Sequence, residues 1–209
     1  MEQQPLCPNC GDATFACGES ETAPPVAWRC ESCGYTAQQD QVQKYTCWLC
    51  NEKTMIHLKD ENEDYWWCLN CGKRGLDPDF AYRLDAMTRQ DKQVYAAKCL
   101  KCYCGAKGIK HKSIDKLEAH LHAIRMHKNL AEWEQLGAYL DLAGRGAPVP
   151  PQLQKKIPNA VRGEFAKLVE NCVEVGRSDL EGPPTGWPAH HLKVCIEILQ
   201  SSNVQLPTI

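Results

Sequence analysis

CPNC (Cys7–Cys10), CESC (Cys30–Cys33), CWLC (Cys47–Cys50) and CLNC (Cys68–Cys71) place four Cys-x2-Cys pairs in the first 71 residues of a 209-residue chain. Such a turn aims two thiolates at one point, so two turns complete the tetrahedral sulfur shell that structural Zn2+ prefers. Four pairs predict two closed sites. The halves also repeat each other: the first pairs start 40 residues apart and the second pairs 38, with 19 and 17 residues between the pairs of each unit. Trp28 and Trp66 each stand two residues before the third cysteine of their unit, and Gly34 and Gly72 each follow the fourth. A duplicated module accounts for this spacing.

The 14 cysteines favour several small modules over one ordinary domain, with zinc replacing the core that short modules cannot build. A disulfide framework is the competing use, and it calls for an export signal. MEQQPLCPNC has neither the basic start nor the apolar run of one. No later segment approaches the roughly 20 apolar residues of a membrane span. The expectation is a soluble protein of a reducing compartment, cytoplasmic by default and nuclear if the source is eukaryotic.

Net charge is −2 but unevenly spread. Residues 1–40 carry one basic against six acidic side chains and 41–80 five against seven, while 81–130 carry eleven against four and 131–209 seven against nine. A basic block on an acidic chain is a candidate phosphate-binding surface.

Residues 5–37 read as strands near Ala13–Cys17 and Val26–Arg29 around the acidic loop GESETAPP. Residues 45–74 read similarly, with strands at Thr54–Leu58 and Asp64–Trp67 and KDENE at the tip. CPNCG and WRCESCGY resemble a zinc ribbon, a small antiparallel sheet with a metal knuckle at each end. The resemblance implies ribbon 1 over 1–42 with Cys7, Cys10, Cys30 and Cys33 as ligands, and ribbon 2 over 43–76 with Cys47, Cys50, Cys68 and Cys71. Cys17 is left as a buried or free thiol. A RING-like or PHD-like cross-brace, joining Cys7/Cys10 to Cys47/Cys50, is the alternative; the 13 residues from Cys33 to Cys47 and the absence of a ligand histidine there disfavour it. Trp48, Trp66 and Trp67 shield the metal or, in the competing reading, stack on bases.

Residues 77–97 predict a connector helix capped by Asp77, with Pro78 in its first turn. The third cluster, CLKCYCGAKGIKHKSIDKLEAHLHAIRMH over 99–127, has the order of a Cys2His2 finger: a cysteine-rich hairpin, Ser113 as N-cap, and a helix bearing histidines. His122-x4-His127 fits the histidine spacing. Cys99, Cys102 and Cys104 are three candidates for two thiolate places, Cys99 being paired with either of the others. The 17 residues from Cys104 to His122 exceed the usual stretch of about 12. A third zinc is expected within this module, 98–129. In the alternative reading, His120 and His127 are ordinary residues on one helical face.

Lys107, Lys110, Lys112, Lys116, Arg125 and Lys128 surround this finger. A charge run is usually a solvated face, but fingers of this type lay their helix in a nucleic-acid groove, where lysines displace condensed counterions from phosphate. Residues that read base edges are scarce there, so backbone contact is expected.

Beyond His127 the sequence predicts a helix over 129–144, a Pro-rich linker near 144–158, a helix over 159–176 and a last helix over 189–200, together an α-helical segment spanning 130–209. Cys172 and Cys195 fall in apolar stripes and read as core thiols. For a nuclease-like site the sequence offers only the histidine pair His190 and His191 at a helix start, with no second catalytic cluster. No phosphate-cradling loop or nucleophile elbow is present, and a closed zinc shell has no open position for substrate.

The expected fold class is therefore α+β, a small multi-module zinc protein: two antiparallel β ribbons, a Cys2His2-like ββα finger and C-terminal helices. The expected function is non-catalytic nucleic-acid binding, DNA before RNA, within a larger assembly joined through the C-terminal helices or the acidic ribbon. No small-molecule substrate is expected. The alternative is a zinc-module adaptor that binds protein alone.

Overall fold

The computed structural model describes residues 4–18, 25–178 and 187–209. The tip of GESETAPP and most of the GPPTGWP stretch lie outside them. The chain divides into two units, residues 1–82 and 83–209.

In the first unit, β1 (Phe15–Cys17), β2 (Val26–Cys30), β3 (Thr36–Gln39), β4 (Met55–Lys59) and β5 (Asp64–Cys68) form one antiparallel sheet in sequential order. The four expected strands are present. β3 is an addition, and it matters because it pairs with both β2 and β4, Trp28 opposite Ala37 and Gln39 opposite Leu58. The two ribbons thus share a sheet instead of standing as separate modules. In β2 the alternation of Val26, Trp28 and Cys30 inward with Ala27 and Arg29 outward is the period of a half-buried strand. The inward residues join Phe15, Ala37, Ile56, Leu58, Tyr65 and Trp67 in one core. Gln39 is polar and buried there because its side-chain oxygen accepts from Trp28 Nε1 at 2.9 Å.

A second tie joins the repeats. Trp67 Nε1 donates to the carbonyl of Leu6 at 3.0 Å. Leu6 packs over Gly72, whose φ is +61°; a Cβ at that position would lie 2.9 Å from Leu6 Cβ and closer still to its Cδ1. Only glycine allows that approach with that backbone.

In the second unit the main helices are α2 (Arg89–Ala106), α3 (Lys112–Ala123), α4 (Leu130–Ala138), α6 (Arg162–Arg177) and α7 (Trp187–Ser201), with a short α5 (Pro151–Gln154) inside the expected linker; α1 (Pro78–Asp85) precedes them. The connector expected over 77–97 is two helices, because Thr88 starts a new one by accepting from Asp91 N. Its 18 residues run through 98–106, where a hairpin was expected. Cys99, Leu100, Tyr103 and Cys104 recur at helical period and all are buried, so apolar packing decides the segment in favour of helix. The ββα finger is corrected accordingly.

His111, not Ser113, caps α3, accepting from Ser113 N through Nδ1 at 3.2 Å. Apolar faces of α2, α6 and α7 supply the core, including Tyr95, Phe165, Leu168, Cys172, Leu192, Cys195 and Leu199. Gln93 Nε2 donates to the Cys172 carbonyl at 2.8 Å, tying α2 to α6.

Candidate metal centre

The four Cys-x2-Cys turns are built alike. In each, the residue after the second cysteine sits in left-handed backbone: Gly11 at φ +79°, Gly34 at +74°, Asn51 at +63° and Gly72 at +61°. Its N–H donates to the carbonyl of the first cysteine, at 2.9, 3.0, 2.8 and 3.0 Å respectively. The first cysteine's own N–H donates one residue further, from Cys7 to Asp12 O, Cys30 to Tyr35 O, Cys47 to Glu52 O and Cys68 to Lys73 O. Such a turn needs Gly or Asn at its end, and this chain has Gly three times and Asn once.

These turns bring Cys7, Cys10, Cys30 and Cys33 together, and separately Cys47, Cys50, Cys68 and Cys71, with all Sγ atoms of a group within 4.8 Å. Pairing is sequential, as the repeat predicts, and the cross-brace is excluded. Sγ separations are 3.7 Å for Cys7–Cys33 and Cys10–Cys30, 3.9 Å for Cys47–Cys71 and 3.6 Å for Cys50–Cys68. A tetrahedron with Zn–S bonds of about 2.3 Å has edges of about 3.8 Å, so both groups fit zinc in size as well as in ligand type.

Sequence reasoning missed the groups around the ligands. Thr14 Oγ1 lies 3.2 Å from Cys30 Sγ and Thr54 Oγ1 3.3 Å from Cys68 Sγ. Against a metal-bound thiolate each hydroxyl can only donate, fixing charge on sulfur. Asn9 Nδ2 reaches Cys33 Sγ at 3.5 Å, and Asn70 Nδ2 lies 3.6 Å from Cys50 Sγ. The signal was in the repeat: Thr14 and Thr54 each stand four residues after the second cysteine of their unit.

Without metal, each group splits its thiols. The Thr14 hydroxyl, foremost among its neighbours, lowers Cys30 to about 6, and the Asn9 amide leads in lowering Cys33, whereas burial raises Cys7. Hydrogen bonding from Cys47 lowers Cys68, while its partner Cys47 is pushed up to about 11 by the same contact. Zinc binds cysteine as thiolate, so it would displace the protons that the raised thiols hold.

The third expected site is not assembled. Among the described residues, His, Cys, Asp and Glu converge in threes or more only in the two groups above. Cys99 and Cys104 turn into the helical core and burial pushes both thiols up, Cys104 to about 12; Cys102 is half-buried. His122 lies 3.8 Å from Glu118, and His127 ends the 3-10 turn after α3. His120 stacks on Trp133, with ring centroids 4.8 Å apart and 3° between planes. Cys172 and Cys195, the expected core thiols, lie 3.6 Å apart and fully buried. His191 Nδ1 contacts Asn171 Oδ1 at 2.8 Å.

Of the tryptophans, Trp48 and Trp67 are buried against stacking on an outside ligand, and Trp66 is half-buried against Tyr45 and His57. Of the basic residues, Lys110, Lys112 and Lys128 are exposed; Lys116 lies 3.9 Å from Asp141, Arg125 pairs with Asp91, and Lys107 donates to the Ser202 carbonyl at 3.1 Å. No described helix is long and apolar enough to cross a membrane. Comparison with family models, with curated proteins and with solved structures returned no match.

Proposed function

We propose that this is a non-catalytic zinc protein that binds nucleic acid, DNA before RNA, through phosphate contacts made by its helical unit. The observation that carries the reading is the exposed run Lys110, Lys112 and Lys116 at the start of α3, on a chain whose stretches 1–80 and 131–209 are net acidic. Lys116 lies 3.9 Å from Asp141, at the outer edge of ion-pair distance. Cations that are exposed and weakly held at home are free to replace counterions on a phosphate backbone. The grip is that of a helix in a bundle and does not need a finger.

The two zinc groups hold the first unit together in place of a larger core, Cys7/Cys10 to Cys30/Cys33 and Cys47/Cys50 to Cys68/Cys71. A salt series on short random duplexes tests the reading. Steep loss of affinity with salt, with the log–log slope reduced by about 3 in a K110E/K112E/K116E variant, supports it. Absence of binding at low salt by zinc-loaded protein overturns it.

A second reading has its own observation. Met126 is 85%, Leu136 49% and Tyr139 87% exposed, on and beside α4. These large apolar groups favour an adaptor whose protein partner meets α4. The C-terminal helices offer less, since Leu192, Cys195, Ile196 and Leu199 of α7 are spent on the core.

A further inference from the structure

The two cysteine groups have the same turns and unequal surroundings. In the first, Cys7 and Cys30 are buried but Cys10 and Cys33 are exposed; in the second, Cys47 and Cys68 are buried and Cys50 and Cys71 only half-exposed. The difference lies between the cysteines. CPNC and CESC fill their turns with Pro8, Asn9, Glu31 and Ser32, of which the last three are exposed. CWLC and CLNC supply Trp48, 4% exposed, Leu49 and Leu69, both half-buried, and the exposed Asn70. Tyr45, Leu49 and Trp66 pack with Cys47, Met55 and Cys68 into an apolar cap around the second group, whereas the first shares the sheet core only through Cys7 and Cys30.

Thiolate-bound zinc leaves by attack of an incoming ligand, which coordinates the metal as each sulfur departs and takes a proton from water. An apolar shell slows that step by keeping both ligand and water away. We propose that the Cys7/Cys10/Cys30/Cys33 group is an exchangeable metal site, open to chelators and thiol-directed electrophiles through Cys10 and Cys33, while the Cys47/Cys50/Cys68/Cys71 group is a permanent structural site. This rests on the reading of both groups as zinc sites. The duplication then serves two ends: both copies brace the sheet when loaded, and the first can also give up its metal in place.

The full chain, loaded and shown to hold two zinc ions, is mixed with excess 4-(2-pyridylazo)resorcinol and release is followed by absorbance. Two phases of one equivalent each are expected, the faster by about tenfold or more. The fast phase disappears in C10S/C33S, and W48A/L49N accelerates the slow one. Timed N-ethylmaleimide labelling of the unmutated chain, read by peptide mass, assigns the phases without any variant: Cys10 and Cys33 are modified with the fast phase, Cys47, Cys50, Cys68 and Cys71 with the slow. Release of both equivalents in one phase, or earlier labelling of the second group, overturns the proposal while leaving two zinc sites standing. A chain that loads no zinc overturns the metal reading itself and the proposal with it.

Discussion

The hydroxyl of Thr54 lies 3.3 Å from the sulfur of Cys68, and the repeat places Thr14 in the same relation to Cys30. Outer contacts of this kind hold a ligand's charge and orientation. Thr54→Val keeps the shape and removes the donor. Zinc affinity of the second site is expected to fall by about 10-fold or more, measured by competition with a chelator of known affinity. An unchanged affinity would leave the hydroxyl as packing only.

Gly72 joins the two repeats by its lack of a side chain. Gly72→Ala puts a methyl into Leu6 and a Cβ on backbone at φ +61°. Gly34→Ala meets only the backbone strain, since nothing lies within 4 Å of its added Cβ. The strain costs about 1–2 kcal/mol, and the clash at Gly72 adds about 1–3 kcal/mol. Denaturant unfolding should therefore rank Gly72→Ala below Gly34→Ala, with Leu6→Ala restoring part of the difference.

His120, half-buried and stacked on Trp133, has its pKa lowered, chiefly by desolvation and then by His127 and Arg145. The unfolded chain binds that proton more readily. Stability is thus full above the ordinary value of 6.5 and is lost as pH falls below it toward the folded pKa. His120→Phe keeps a ring on Trp133 and removes the proton. Melting temperatures of the two proteins between pH 8 and 5.5 should part below 6.5, with the native chain falling further. Changes at the cysteine sites are common to both and cancel.

Cys102→Ser with His127→Ala removes one candidate thiolate and one histidine of the expected finger. Because Cys102 lies in α2 and His127 beyond α3, with no third group converging there among the described residues, metal content should be unaffected by the change. Elemental analysis of the variant against the native chain decides this, and loss of one zinc would restore the finger.

What was legible depended on how local the cause was. A Cys-x2-Cys turn closes on itself, so the four knuckles, their repeat and the strands leading out of them could be read from residues. TAQQ, which forms β3, carries no apolar alternation beyond Ala37, and it becomes a strand because β2 and β4 lie on either side. Cys99, Cys102 and Cys104 misled for the opposite reason. Cysteine serves equally as a metal ligand and as a small apolar residue, and only the long-range packing of α2 with α6 and α7 selects the second use. The buried period through Leu100 and Tyr103 was the available sign. The unequal exposure of the two zinc groups was present in PN and ES against WL and LN, but acquires meaning only once both groups sit in one unit.

The chain is expected to hold two zinc ions, each bound by consecutive cysteine pairs. Native mass spectrometry of the full chain and of C7S/C10S, C30S/C33S, C47S/C50S and C68S/C71S variants tests it most directly. Two zinc ions in the native chain and one in every variant are expected, with a C7S/C10S/C30S/C33S combination still retaining one. Three ions in the native chain, or none in that combination, would contradict it.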